Sequence, residues 1–178
     1  MNNGLLIGSI FGIIFLSYSF TRKLGNFLNI YGIILSHLSF FKHNKMQFFS
    51  IYFIPIIFSL SISSIHIITR DIFDTLVIIL SILISMFFAI LSILCTIKPK
   101  NNESKYNELL EQSFTSTVFE IILCIILLLI SFSAIFVGRG INPLIDTIVS
   151  TIVYYLFFIL VLNIFVLIKR IEVLFINR

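Results

Sequence analysis

Few side chains inside the long apolar stretches of this sequence could do chemistry, and Glu120 is the most unusual of them. A carboxylate in hydrocarbon is costly, so such a residue usually faces protein or water. Asn163 and Pro55 should lie at a similar depth, and the proline should kink its helix. The three predict an intramembrane polar node near the cytoplasmic side, with a plausible Glu120–Asn163 hydrogen bond. Alternatively, Glu120 lies near the membrane surface and its carboxylate extends to the membrane–water interface.

A second group of polar residues lies near the outer end of an apolar run. It consists of His66, Arg70, Asp71 and Asp74. Such a group could bind a cation or titrate, but a hydrated loop has the same composition. His37 and His43 lack acidic or thiol neighbours, and two cysteines cannot form a disulfide framework. We therefore predict no metal, no cofactor and no enzymatic activity, because the acids are scattered.

The elements that position these residues are long apolar helices. Hydrophobic residues make up 59% of the chain and charged residues 11%, against about 45–50% and about 25% in soluble domains. A helix needs about 20 apolar residues to cross a bilayer. Four runs meet that length: Phe48–Ile68, Thr75–Ile97, Ser113–Val137 and Thr147–Ile168. The sequence predicts one all-α domain, a polytopic transmembrane helical bundle.

Two shorter runs precede the four long ones. Leu5–Phe20 is expected to be retained and to cross the membrane; alternatively, it lies with the next run at the inner leaflet. Phe27–Phe41 carries its polar residues at helical spacing and predicts an amphipathic interfacial helix. A short helix inside the bundle is the alternative. Residues 98–112 form a predicted cytoplasmic loop whose end, from Lys105, extends the third long helix.

Basic residues predict the orientation of the chain in the membrane. With the four long runs as spans, ten of the twelve lysines and arginines fall on one side. Cytoplasmic loops are enriched in these residues, so that side and the C-terminus should be cytoplasmic. The basic face comprises Arg22, Lys23, Lys42, Lys45, Lys98, Lys100, Lys169 and Arg170. It could hold anionic lipid headgroups or dock a cytosolic protein; direct nucleic-acid binding is not predicted.

Small residues recur on one face of several helices. Gly4, Gly8 and Gly12 form two overlapping G-x-x-x-G steps, and Ser81, Ser85 and Ala89 follow spacings of four. Small residues let helix backbones approach closely in lipid, so these faces predict a homo-oligomer. Three further runs carry comparable faces, one of them through Ser113, Thr117, Glu120, Cys124, Leu127, Ser131 and Ala134. Such faces could instead pack within one chain, or line a polar path.

Two stretches resemble the membrane subunit of the Kiwa anti-phage defence system. One is Phe41-Lys-His-Asn-Lys ahead of a proline-bearing span; the other is Tyr154-Tyr155 followed by Asn163 and Ile168-Lys-Arg. The resemblance runs from Phe41 to the C-terminus and carries no active-site residue. It implies an oligomeric multi-span protein of the bacterial inner membrane with a cytosolic, nucleic-acid-binding partner. We therefore expect a non-enzymatic defence component; the alternatives are an oligomeric channel or permeabilising effector, and a small transporter or membrane enzyme.

Overall fold

The computed structural model describes residues 30–42, 44–100, 103–137 and 143–176, and this part of the chain contains helices and no strand. The helices are α1 (Ile30–Ser39), α2 (Lys45–Tyr52), α3 (Ile54–Ile65), α4 (Arg70–Thr96), α5 (Ser104–Val137) and α6 (Pro143–Ile176). Leu5–Phe20, the glycines Gly4, Gly8 and Gly12, and the basic pair Arg22 and Lys23 lie outside the described residues.

The predicted all-α fold is confirmed, because four helices are long and apolar enough to cross a membrane. They are α4, α5, α6 and the stretch Lys45–Ile65, which combines α2 with α3, and they are 21 to 34 residues long. The first begins three residues before the predicted Phe48 boundary. Helix α5 begins at Ser104, so the predicted helical extension out of the inner loop is also confirmed.

Local sequence explains where several helices begin and end. Asn44 caps α2, because its side-chain oxygen accepts a hydrogen bond from the Gln47 backbone N–H at 3.2 Å. Pro55 lacks a backbone N–H, and the helix is interrupted at Phe53, so α2 and α3 are separate elements. Phe53 itself keeps helical backbone angles, so the kink expected at this proline stays a prediction. Pro143 opens α6, where a missing N–H costs nothing.

The four long helices pack as an open row in the order α4, α5, α6, α3. Helix α4 packs against α5 alone among the described helices, and α3 packs against α6. Helix α1 lies on α5, while α2 bridges to α3 and α6. The core between these helices is apolar and includes the fully buried Leu80, Phe87, Leu127, Val153 and Leu160. The row therefore has an edge at α4 that no other described helix covers.

Candidate functional site

One face of α5 supplies the centre of the candidate site. The predicted small and polar face of this helix is buried from Ser113 through Ser131, with Glu120 and Cys124 both at 0% exposure. Two of its hydroxyls are satisfied inside the helix, since Ser113 donates to the Leu109 carbonyl and Thr117 to the Ser113 carbonyl, both at 2.8 Å, whereas the buried Ser131 hydroxyl has no partner among the described residues. This face therefore packs against other helices of the same chain.

Glu120 and Asn163 are both buried, but they do not form the predicted hydrogen bond. Both carboxylate oxygens of Glu120 and both amide atoms of Asn163 lack a hydrogen-bond partner among the described residues. The Tyr52 hydroxyl also lacks one, and it lies within electrostatic range of both residues. Buried polar atoms are usually paired, so three unpaired side chains close together are unusual.

Pro55 acts on this region through the backbone. It lies buried in the first turn of α3, three residues after Tyr52, the last residue of α2. The helix interruption at Phe53 separates the two segments, and α2 contacts α6, the helix that carries Asn163. Pro55 therefore helps to position Tyr52 near Asn163 rather than supplying a polar group of its own.

His37 is a member of the site that sequence analysis missed. The residue lies on α1 and is 1% exposed. Its imidazole stacks on the Phe119 ring, with centroids 4.0 Å apart and planes 4° from parallel, and meets Phe41 edge-on at 5.4 Å. Its Nδ1 lies 3.3 Å from Ser116 Oγ. These contacts dock α1 onto α5.

Arg170 joins the site through Ser116. Its Nη1 donates a hydrogen bond to Ser116 Oγ, and its guanidinium lies over the rings of Phe40 and Phe41 at 5.5 and 5.7 Å. Sequence analysis assigned Arg170 to the cytoplasmic basic face, but its side chain is turned inward and partly buried. The next residue along the helix differs, since Lys169 is exposed and pairs with Glu172 at 2.9 Å.

The Ser116 hydroxyl links Arg170 to His37. An arginine can only donate, so Ser116 Oγ accepts from Arg170, and its second lone pair or its proton bonds His37 Nδ1 according to the imidazole tautomer. The other ring nitrogen, Nε2, has no hydrogen-bond partner among the described residues. Burial and, to a smaller extent, the Arg170 charge lower the pKa of His37 from 6.5 to about 4, while Asn163 opposes the shift. Two hydrogen bonds through Ser116 on α5 thus connect Arg170 on α6 with His37 on α1.

The residues His37, Tyr52, Ser116, Glu120, Asn163 and Arg170 form what we call the polar cluster. It brings together side chains from α1, α2, α5 and α6. The polar node predicted from the sequence consisted of Glu120, Asn163 and Pro55, so it shares two residues with the polar cluster. A signal for Tyr52 exists in the sequence, since it lies three residues before the proline that breaks its helix. No comparable signal marks His37 or Ser116, whose neighbours are distant in the chain.

The other predicted residues lie away from the polar cluster. Lys42, Lys45 and Lys98 are exposed, while Lys100 pairs with Glu103 at 3.3 Å and lies over the Tyr106 ring. His66 is exposed, as are its neighbours Arg70, Asp71 and Asp74. Among the described residues, no three histidines, cysteines or acids group closely enough to hold a metal ion.

Ser81, Ser85, Ala89, Ser92 and Thr96 form what we call the α4 serine face, and all five are exposed. The buried residues of α4, among them Leu80, Phe87 and Leu94, lie about 150° away around the helix at 100° per residue. Ser81 and Ser85 donate to the carbonyls of Val77 and Ser81 at 2.8 and 3.0 Å. The face is therefore lined by short side chains and turned away from the other described helices.

Chemically, the polar cluster offers one acid, one amide, one phenol, one neutral imidazole and one guanidinium inside an apolar bundle. Groups of this kind lock neighbouring helices together when paired and destabilise the bundle when unpaired. Here Arg170 and Ser116 are paired and His37 is paired at Nδ1 alone, whereas Tyr52, Glu120 and Asn163 have unpaired polar atoms among the described residues. Comparison with known protein families, with curated proteins and with solved structures gives no match for this chain in any of the three.

Proposed function

We propose that this chain is a non-enzymatic membrane component that self-associates through the α4 serine face. The observation that carries the proposal is the position of this face on the open edge of the helix row, opposite the buried side of α4. The same small-residue pattern on α5 is covered by other helices of the chain. The face on α4 therefore has the composition of a packing surface without an intramolecular partner among the described helices.

Lipid chemistry supports a second copy as the partner. Lipid tails are as apolar as leucine, so helices associate in a bilayer through close backbone approach rather than through burial of large side chains. Ser85 and Ala89 leave the α4 backbone accessible. The hydroxyls of Ser81 and Ser85 are already bonded within the helix, so moving them from lipid into a dry interface leaves neither donor unpaired.

The association is tested by filling the face. The double variant Ser85→Leu, Ala89→Leu adds bulk where the two backbones would meet, and we expect it to weaken self-association at least about tenfold, or about 1.4 kcal/mol. Ser133→Leu is the matched control, because Ser133 is an exposed serine on α5 that donates to its own backbone at 2.7 Å. Mass measurement in lipid nanodiscs or mild detergent gives the readout. An unchanged monomer in all variants would refute the proposal.

The biological setting that we propose is bacterial anti-phage defence, at the inner membrane and with a cytoplasmic C-terminus. Its support is the sequence resemblance from Phe41 onward and the one-sided distribution of basic residues. The exposed lysines Lys42, Lys45 and Lys98 would present a basic surface to a cytosolic partner that binds nucleic acid. Phage plating on cells with and without the gene, and with the serine-face variant, tests this role. Equal plating on all three strains would remove it.

A second candidate function is an oligomeric channel, and the α4 serine face favours it too. Ser92 and Thr96 continue the line of hydroxyls along α4, and both are exposed. In a ring of copies these hydroxyls could face a polar path instead of a helix interface. Dye or ion leakage from liposomes that contain only the purified chain would favour the channel. Liposomes that stay tight while the chain forms oligomers would favour the packing interface.

A further inference from the structure

We propose that the corner between α1 and α2 binds one anionic phospholipid, with its phosphate at Lys42 and Lys45 and an acyl chain along the adjoining groove. The structure contains a groove of about 440 Å³ at this corner. Its apolar walls come from Leu35, Leu38, Phe41 and Phe48, and the two lysines lie beside them. The combination of apolar walls and two cations matches the two parts of one lipid molecule.

The charges at the groove are available to a ligand. Lys42 and Lys45 are both exposed, and neither forms an ion pair within the part of the chain that the structure describes. Two other described lysines are paired, Lys100 with Glu103 and Lys169 with Glu172, whereas Lys98 and Lys105 form no ion pair with a described residue but do not line the groove. Lys45 is also the first residue of α2, where the positive end of the helix dipole adds to the attraction for an anion.

The walls of the groove suit an acyl chain rather than a polar ligand. Leu35 and Phe48 are about half exposed, at 48% and 42%. Phe41 is 2% exposed and forms the floor of the groove, where its ring also meets His37, Tyr52 and the Arg170 guanidinium. A lipid in the groove would therefore lie against the polar cluster, with one aromatic ring between them.

The location supports a lipid over a soluble anion. The groove precedes the span Lys45–Ile65, so its lysines lie where a membrane-spanning helix leaves the hydrocarbon. Basic residues at that depth attract anionic lipid headgroups, and each one adds to the attraction. An inorganic phosphate could use the two lysines but would leave the apolar walls uncovered.

Tryptophan fluorescence provides a direct test, because the chain contains no tryptophan. Phe48→Trp places an indole in the groove, and Phe58→Trp places one on an exposed position of α3 as the control. Each variant is reconstituted with phosphatidylglycerol or phosphatidylcholine that carries brominated acyl chains, which quench the indole on contact. We expect Phe48→Trp to show a preference of about tenfold for phosphatidylglycerol, and Phe58→Trp to show none.

Charge variants separate the groove from the general basic surface. Lys42→Gln with Lys45→Gln should abolish the preference, whereas Lys98→Gln with Lys105→Gln removes the same charge elsewhere and should preserve it. Native mass spectrometry of the chain without tryptophan, with both lysine pairs compared, repeats the test if Phe48→Trp fails to fold. Equal quenching and equal adducts with both lipids, or a preference that survives the loss of Lys42 and Lys45, would overturn the proposal.

Discussion

The imidazole of His37 lies flat on the ring of Phe119, with the centroids 4.0 Å apart and the planes 4° from parallel. This stack joins α1 to α5 in a place where the neighbouring Ser116 hydroxyl bonds Nδ1. The contact therefore combines ring packing with a hydrogen bond at Nδ1, and burial of the ring opposes its protonation.

The stability of the folded chain should fall as the pH is lowered from about 6.5 to about 4, through His37. Burial lowers the pKa of this residue from 6.5 to about 4. Between these values the unfolded chain binds the proton and the folded chain does not. The stabilisation is therefore complete above pH 6.5 and is lost as the pH falls towards 4, by about 3 kcal/mol in total.

His37→Phe isolates this effect, because phenylalanine preserves the stack on Phe119 and cannot titrate. Thermal unfolding in detergent from pH 7.5 to pH 4.5 should show a steeper loss for the wild-type chain than for the variant. Parallel pH profiles for the two would contradict the assignment of a neutral, buried His37. His37→Ala should destabilise the chain at every pH, since it also removes the ring contact.

Arg170 should contribute far more to stability than its neighbour Lys169. Arg170→Gln removes the hydrogen bond to Ser116 and the contacts with Phe40 and Phe41, so we expect a loss of about 1–3 kcal/mol. Lys169→Gln removes an exposed ion pair with Glu172 and should cost less than about 1 kcal/mol. Unfolding in a graded denaturing detergent compares the two. Equal losses of stability in the two variants would contradict the buried contacts of Arg170.

Glu120 should reduce the stability of the chain, because its buried carboxyl has no hydrogen-bond partner among the described residues. Glu120→Leu removes the unpaired oxygens from an apolar surrounding, and we expect the free energy of unfolding to rise by about 1–3 kcal/mol. Glu120→Gln preserves the shape and should leave stability closer to the wild type. The unfolding midpoint of each variant is the measurement, and a marked loss with leucine would reveal a polar partner.

The same variants test whether the acid matters for function. A residue that destabilises a membrane bundle is retained when activity depends on it. Under the defence role proposed above, Glu120→Leu should therefore lower phage protection while the chain stays folded and at a normal level in the membrane. Full protection by a more stable Glu120→Leu chain would leave the acid without a functional role.

The hydroxyls of Ser63 and Thr151, 2.7 Å apart, should couple α3 to α6 weakly. Hydrogen bonds between membrane helices contribute roughly 0.6 kcal/mol on average. A double-mutant cycle with Ser63→Ala and Thr151→Val should give a coupling of that size. Ser64→Ala is the control, because Ser64 is exposed and donates to the Leu60 carbonyl of its own helix. A comparable coupling between Ser64 and Thr151 would show that the cycle does not report the interhelical bond.

Local properties of the sequence determined the helices and the unusual residues within them. Hydrophobic length predicts the four spans, the proline at 55 predicts the interruption at Phe53, and an acid within an apolar run marks Glu120. Each of these predictions depends on the preference of apolar residues for lipid and on residues that are close together in the chain. None of them depends on which helix packs beside which.

Only the tertiary structure decided what covers each helix face. The faces through Ser85 and through Thr117 both repeat at steps of three and four residues, yet one is exposed at the edge of the row and the other is buried on α5. The cluster of His37, Ser116 and Arg170 depends likewise on contacts between residues far apart in the chain. In a membrane both lipid and protein accept an apolar face, so periodicity reveals a face without revealing its neighbour.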